Sequence, residues 1–219
     1  MRIESYNVGM LGTNCYLVWD EEGREAMLID PGAYEQGISD RIEEAGLRLR
    51  YIALTHGHPD HIGGATEFQK AFPEARLACP KGDLDLVGDT DVNESKYFFR
   101  KKAVLAPDIL LGDGDAIQLG GLSFRAIGTP GHTHGGLCYY VGDCDNNYVN
   151  QNFSGTLFSG DTIFNLSVGR TDMYGGDFDT LRASIRDRLF ALDDDTLVLP
   201  GHMGPTTIGR EKKHNPFVG

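Results

Sequence analysis

The densest group of chemically active side chains lies in residues 55–61, where His56, His58, Asp60 and His61 fall within six residues. Neutral imidazoles and carboxylates are ligands of zinc, iron and manganese, and an open loop lets alternate ligands face different ions. The loop directly follows an apolar run, and ligand sites of α/β sheets gather beyond the carboxyl ends of strands. Solvated loop histidines usually occur singly, so this density predicts a metal site with room for two ions.

Three further side chains suited to metals each follow an apolar run and stand among glycines. They are His132, Asp161 and His202. Glycines let two backbones approach an ion closely without side-chain clashes. Either histidine alone would more often be a surface residue, but the arrangement of strand, glycine turn and ligand is repeated. We therefore expect all three to converge with residues 55–61 on one site.

The elements that must position these ligands alternate between strand and helix patterns. Short apolar runs bounded by turn residues predict strands at 3–8, 14–19, 26–29, 51–54, 76–79, 116–119, 122–127, 136–141, 155–159 and 196–199. Helical spacing of apolar residues predicts helices at 34–47, 61–72 and 178–192. This alternation predicts an α/β fold.

Two polar segments interrupt this pattern. Residues 81–107 form an irregular insert with a helix expected at 94–102, and the insert could act as a lid. Its aspartates at 83, 85, 89 and 91 lack the spacing of a calcium loop, so we interpret them as solvated. Residues 143–152 resemble a polar hairpin extension whose role the sequence leaves open.

Composition limits the classes of function. With 219 residues, 40% of them hydrophobic, the chain predicts one domain spanning 1–219. The sequence contains no apolar run of about 20 residues and no signal peptide, so we expect a cytoplasmic protein that does not bind membranes. The net charge of −12 disfavours nucleic acid as a partner, and we interpret the basic cluster at 100–102 as a solvated helix turn.

The four cysteines are Cys15, Cys79, Cys138 and Cys144, and none of them forms a C-x-x-C pair. The sequence therefore contains neither a zinc ribbon nor a thiol redox motif. A disulfide between Cys138 and Cys144 is disfavoured without a secretion signal.

The motif T-H-x-H-x-D-H and the later His, Asp and His residues together resemble the metallo-β-lactamase fold superfamily over essentially the whole chain. The resemblance implies an αββα sandwich, a mixed α/β fold with the metal site at the common edge of its two sheets. By matching position it implies that His56, His58 and His132 hold one metal, that Asp60, His61 and His202 hold a second, and that Asp161 bridges both. Asp30 would fix the tautomer of an imidazole, with a simple turn carboxylate as the alternative.

Segments 13–18, 160–164, 168–172 and 201–210 look like the short, single-domain glyoxalase II-like hydrolases. This resemblance implies hydrolysis of a small-molecule thioester such as S-lactoylglutathione. The cofactors would be two divalent metal ions, with zinc favoured and iron or manganese as alternatives. Asp60 would ligate a metal and orient the attacking hydroxide, and Arg170 would bind the glycine carboxylate of glutathione. Glyoxalase II proper carries a further C-terminal helical domain that grips glutathione, and this sequence does not include one.

Several alternatives stay open. A mononuclear iron persulfide dioxygenase would use a subset of the same residues, and a lactonase or β-lactamase would use the same site. A diiron reductase is disfavoured because His58 stands where that group carries glutamate. Arg210, Lys212 and Lys213 either add positive charge near the substrate or form a solvated tail. The roles of His134 and His214 and the oligomeric state are not determined by the sequence.

Overall fold

Two six-stranded β-sheets pack face to face in the computed structural model, which describes residues 1–93, 104–142, 146, 148 and 153–219. The first sheet runs in chain order: β1 (Arg2–Val8), β2 (Thr13–Trp19), β3 (Glu25–Ile29), β4 (Arg48–Ala53), β5 (Arg76–Pro80) and β6 (Ile109–Leu111). Its first three strands are antiparallel and its last three continue in parallel from β3.

The second sheet comes from the second half of the chain. Its strands are β7 (Ala116–Leu119), β8 (Leu122–Gly128), β9 (Leu137–Gly142), β10 (Gly155–Gly160), β13 (Leu197–Pro200) and β14 (Thr206–Thr207). Their order in the sheet is β14-β13-β10-β9-β8-β7, and β10 and β13 form its parallel pair. A separate hairpin consists of β11 (Ile163–Phe164) and β12 (Ser167–Val168).

Helices cover the outer face of each sheet. They are α1 (Gln36–Glu44), α2 (Pro59–Ile62), α3 (Ala65–Ala71), α4 (Leu84–Gly88), α5 (Phe178–Ser184) and α6 (Ile208–His214), with a 3₁₀ turn at Lys81–Asp83 and a π-helical turn at Ile185–Leu189. Among the described residues, every helix is too short or too polar to cross a membrane.

Three apolar clusters define the layers. The first lies between the sheets and includes Met27 and Phe158. The second joins the first sheet to α1 and α3 through residues such as Phe68, and the third joins the second sheet to α5 and α6 through Leu181 and Ile208. Burial of these apolar faces is the main stabilising contribution to such a sandwich. The expected αββα architecture is confirmed.

The predicted helix at 61–72 is wrong in one respect, because the chain forms α2 and α3 with Gly63 and Gly64 between them. Both glycines lie against the backbone of Gly32 and Ala33, where an added Cβ would collide with main-chain atoms. The break lets α2 remain a single short turn directly after His58.

The C-terminal segment differs from a solvated tail. It forms α6, which packs through the buried Ile208 and carries the fully buried Glu211. The expected helix at 94–102, the basic cluster at 100–102 and Cys144 lie outside the described residues, as does most of the segment at 143–152. Cys15, Cys79 and Cys138 are buried free thiols.

Candidate metal centre

The predicted metal-binding side chains meet at one edge of the sandwich, where strands from both sheets end. The loop at 55–58 follows β4, His132 follows β8, Asp161 follows β10, and His202 follows β13. Backbone bonds join the sheets at this edge. Leu137 N donates to Thr55 O at 2.9 Å, and Asn14 N donates to Gly201 O at 2.7 Å. The ligands therefore rest on strand ends that are tied to one another.

The first candidate group consists of three buried imidazoles, His56, His58 and His132. Nδ1 of His58 lies 2.8 Å from Nε2 of His132, which lies 3.3 Å from Nε2 of His56. All three donor atoms lie within 4.8 Å of one another, so a single cation could contact them together.

The second candidate group consists of Asp60, His61 and His202. Oδ2 of Asp60 lies 3.5 Å from Nε2 of His61 and 3.2 Å from Nε2 of His202. Two nitrogens and one carboxylate oxygen form a donor set that zinc, iron and manganese all accept.

Asp161 lies between the two groups. Its Oδ1 is 3.2 Å from Nε2 of His61, and its Oδ2 is 3.5 Å from Nε2 of His202 and 3.7 Å from Nε2 of His132. One carboxylate thus reaches both candidate groups, which is the geometry that a bridging ligand requires.

Two features of this structure fit a bound cation. Nε2 of His61 and Oδ1 of Asp161 are buried, and although they lie 3.2 Å apart, neither has hydrogen-bond geometry with any described residue; buried polar atoms normally have a partner. The backbone also leaves space for the ligands, because a Cβ on Gly201 would collide with Oδ1 of Asp161 and lie 2.7 Å from Cε1 of His61. The donors therefore fit a metal centre.

Burial and neighbouring charge set the protonation of the first group. Burial lowers the pKa of His56 well below its usual range, and the nearby imidazoles lower it further. Burial and the neighbouring His132 lower the pKa of His58 to about 3. Both imidazoles are consequently neutral near pH 7, which is the form that ligates metals.

Nearby carboxylates set the protonation of the second group. Burial acts to lower the pKa of His61, but the charges of Asp161, Asp60 and Asp30 outweigh it and raise that pKa well above the usual value. Burial acts to raise the pKa of Asp60, but the charge of His61 and contacts with His202 outweigh it and lower that pKa. His61 is therefore protonated near pH 7 while Asp60 is ionised, and a cation that binds Nε2 of His61 would displace its proton.

Two side chains, Asp30 and Thr13, contact candidate ligands from behind. Oδ2 of Asp30 lies 2.9 Å from Nδ1 of His61, and Asp30 also accepts bonds from the backbone and hydroxyl of Thr55 at 2.7 and 2.6 Å. Thr13 Oγ1 donates to Oδ2 of Asp60 at 3.0 Å. Such contacts set the tautomer and direction of a ligand, so Asp30 is more than a turn residue.

Arg170 makes a contact with a candidate ligand that was not expected. Its backbone oxygen lies 2.6 Å from Nδ1 of His132, which directs Nε2 of that ring toward the other ligands. Arg170 lines the cavity over the site, and its guanidinium donates two hydrogen bonds to Asp172 at 2.7 and 2.8 Å. The contact made by its carbonyl group could not be read from the sequence.

Asp83 is the clearest correction to the sequence-based interpretation. It is fully buried rather than solvated, whereas Asp85, Asp89 and Asp91 are exposed as expected. Its Oδ2 accepts bonds from Gly57 N at 3.0 Å and Thr133 Oγ1 at 2.8 Å, and its Oδ1 accepts from Gly135 N at 2.6 Å.

Burial raises the pKa of Asp83, although these three hydrogen bonds oppose the shift. Its carboxyl group joins the loop between His56 and His58 to the loop after His132. No signal in the polar run around Asp83 distinguishes it from its exposed neighbours.

A cavity of about 430 Å³ opens over both groups. Its base includes His58, Asp60, His132, Asp161 and His202. This volume falls within the range of small-molecule sites, roughly 300–1,000 Å³.

Two histidines with open roles lie elsewhere. His134 is exposed and packs edge-on against Tyr174. His214, Arg210 and Lys213 line a different cavity beside Asp194, and Lys212 pairs with that aspartate.

The family model of the metallo-beta-lactamase superfamily matches residues 8–202. This chain belongs to the metallo-beta-lactamase superfamily. A hydroxyacylglutathione hydrolase named GloC, from Haemophilus influenzae, is 34% identical over 219 residues, which is 100% of this chain and 98% of that protein.

Solved structures of superfamily members support the same placement. The crystal structure of BLEG-1, a B3 metallo-beta-lactamase, superposes with a TM-score of 0.86 at 31% identity and covers 99% of both chains. The structure of ETHE1 from Myxococcus xanthus gives a TM-score of 0.77 at 30% identity, covering 100% of this chain and 84% of that one. Most members of this superfamily are hydrolases, and the His and Asp groups described here could bind metal.

Proposed function

We propose that this chain is a binuclear metal-dependent hydrolase of thioesters such as S-lactoylglutathione, carried by one domain spanning 1–219. The observation that carries the proposal is the pair of three-ligand groups on either side of Asp161. Full-length similarity to a protein named hydroxyacylglutathione hydrolase supports the choice of thioesters.

In this proposal His56, His58 and His132 would hold the first cation, Asp60, His61 and His202 would hold the second, and Asp161 lies within reach of both groups. Zinc is the proposed metal, and iron and manganese are the alternatives. When bound, two adjacent divalent cations lower the pKa of a water molecule toward neutrality and polarise the carbonyl group under attack.

Asp60 is the proposed catalytic residue. Thr13 donates a hydrogen bond to Oδ2 of Asp60, and this oxygen also faces His61 and His202. It could therefore ligate a cation and orient the attacking water. Because the pKa of Asp60 is lowered, its carboxylate is ionised at neutral pH and can accept a hydrogen bond from that water. The oxygen of the water would form a new bond to the carbonyl carbon and the carbon–sulfur bond would break, so that the acyl group leaves as a carboxylate, the sulfur as a thiolate, and the protons of the water pass to solvent.

Thiol release from S-D-lactoylglutathione tests the proposal. The protein is assayed as purified with its metals counted, after chelation, and after zinc is restored. We expect turnover that chelation abolishes and zinc restores. Chelator-insensitive turnover would contradict the metal requirement. If fully metallated protein releases no thiol from this or other thioesters, the proposed reaction is wrong.

Similarity to the ETHE1 structure favours a second candidate, a mononuclear iron persulfide dioxygenase. That enzyme would use only some of the seven ligands. One iron per chain together with oxygen uptake on a persulfide substrate would support it. Two metals per chain and thioester hydrolysis without oxygen uptake would support the hydrolase.

A further inference from the structure

The wall of the cavity over the metal ligands consists largely of apolar side chains from separate parts of the chain. Leu11 comes from the β1–β2 turn, Phe164 and Val168 from the β11–β12 hairpin, Met173 from a later loop, and Met203 from the loop after β13. Five apolar side chains from three parts of the chain therefore line the cavity that lies over the candidate ligands.

Part of this apolar surface contacts water. Leu11 is 58% exposed and Met203 is 57% exposed. A ligand that covers them removes apolar area from water, which favours binding in proportion to the area buried. Methionine side chains are unbranched and flexible, so they adapt to apolar groups of different shapes.

The charge of the wall does not favour an anionic group. Among the described residues that line the cavity, the cation is Arg170, and its guanidinium is engaged by Asp172 through two hydrogen bonds. A substrate carboxylate would have to compete with Asp172 for that guanidinium.

We propose that this wall selects thioesters with an apolar substituent on the acyl or thiol side, in preference to the polar lactoyl and glutathionyl groups. The inference rests on the proposed thioester hydrolysis. A substrate whose carbonyl carbon reaches the ligands at the base of the cavity lays one of its two substituents on the wall. Each methylene buried there raises kcat/KM about threefold to fourfold until the wall is filled.

The first test compares thioesters on the metal-loaded full chain. S-acetyl-, S-butyryl- and S-hexanoyl-N-acetylcysteamine vary the acyl side, and S-benzyl thioacetate varies the thiol side. We expect kcat/KM to rise at least about tenfold from acetyl to hexanoyl, or from S-acetyl-N-acetylcysteamine to S-benzyl thioacetate. The series that rises identifies the substituent that contacts the wall.

If neither series rises although every thioester is cleaved, the wall does not select and the inference is wrong, while the hydrolase remains. A binding measurement covers the case in which no thioester is cleaved. S-hexylglutathione should bind the metal-loaded protein at least about tenfold more tightly than S-methylglutathione in calorimetric titration. Equal affinities would overturn the inference independently of turnover.

A matched pair of variants locates the effect. In the series that rises, Leu11→Ser should lower the ratio of kcat/KM between the most apolar thioester and S-acetyl-N-acetylcysteamine about threefold or more, because it removes apolar area from the wall. Leu110→Ser changes a leucine on β6 that is 44% exposed and does not line the cavity, so the ratio should stay as in the unmodified chain. Equal ratios in the two variants would contradict the assignment of the wall.

Discussion

Replacing Asp83 with asparagine should lower the metal affinity of the first candidate group more than it lowers the stability of the fold. The amide keeps the shape of the side chain but replaces one acceptor oxygen with an NH₂ donor. Thr133 can rotate its hydroxyl group to adapt, whereas the backbone N–H groups of Gly57 and Gly135 cannot. Either orientation of the amide therefore leaves one of these buried donors facing another donor.

A buried donor without a partner costs about 1–3 kcal/mol. Part of that cost is offset, because burial raises the pKa of the Asp83 carboxyl group and its ionised form is disfavoured in the folded protein. A carboxyl group with a raised folded pKa contributes stability that is full below its unfolded pKa and is lost as pH rises through the folded pKa. The loss of stability caused by the asparagine substitution should thus be largest in acid and smaller near pH 7.

Metal affinity at the first candidate group should fall more strongly than folding stability. Gly57 lies between His56 and His58, and Gly135 follows His132 by three residues, so the lost bond loosens the spacing of the three imidazoles. Loss of such a supporting contact typically costs about tenfold to 100-fold in metal affinity. We expect a decrease of this size in zinc affinity at the first group only.

Zinc titration against a competing chelator measures the two affinities, and urea unfolding at pH 4.5 and pH 7 measures stability. Asp89→Asn is the control, because Asp89 is an exposed carboxylate of the same segment that accepts a bond from the nearby Asp91 N at 2.8 Å. Reduced stability with unchanged affinity at the first group would refute the positioning role of Asp83.

Three further predictions concern the centre and its cavity. Asp161→Ala should lower metal content and kcat/KM together, by at least about tenfold; two metals per chain with full activity in elemental analysis and assay would refute the bridging role. Glu211→Gln should raise KM with little change in kcat, because this buried carboxylate accepts bonds from Leu166 N and Thr206 Oγ1 and so anchors the hairpin that carries part of the cavity wall; a fall in kcat alone would argue against this. Zinc added to chelated protein in weak buffer should release protons, because the pKa values of His61 and His202 are raised in the metal-free state; a pH electrode that records no release would contradict those shifts.

The convergence of the candidate ligands could be predicted from the sequence because residues 55–61 follow a short apolar strand, and His132, Asp161 and His202 each follow an apolar strand and a turn that contains glycine. The same patterns predicted most strands of both sheets. The two-residue strands β11 and β12 were missed since so short a segment has no periodicity. Helix α6 was missed because its charged residues concealed the few side chains that pack inward, Ile208 and Glu211 among them.

The contacts behind the ligands could not be predicted from residue types. Asp83 stands among aspartates that are exposed. Its position after β5 places it between the loop that follows β4 in the first sheet and the loop that follows β8 in the second sheet. The carbonyl group of Arg170 contacts His132, yet every residue has a carbonyl group and the sequence gives it no signature. Such contacts depend on the three-dimensional path of the backbone.

The most direct test of the central claim is a zinc titration of chelated protein with continuous measurement of thiol release from a thioester. A binuclear centre predicts that activity develops fully only as the second equivalent of zinc binds. Full activity after one equivalent would contradict the two-metal assignment, and no activity after two would contradict thioester hydrolysis.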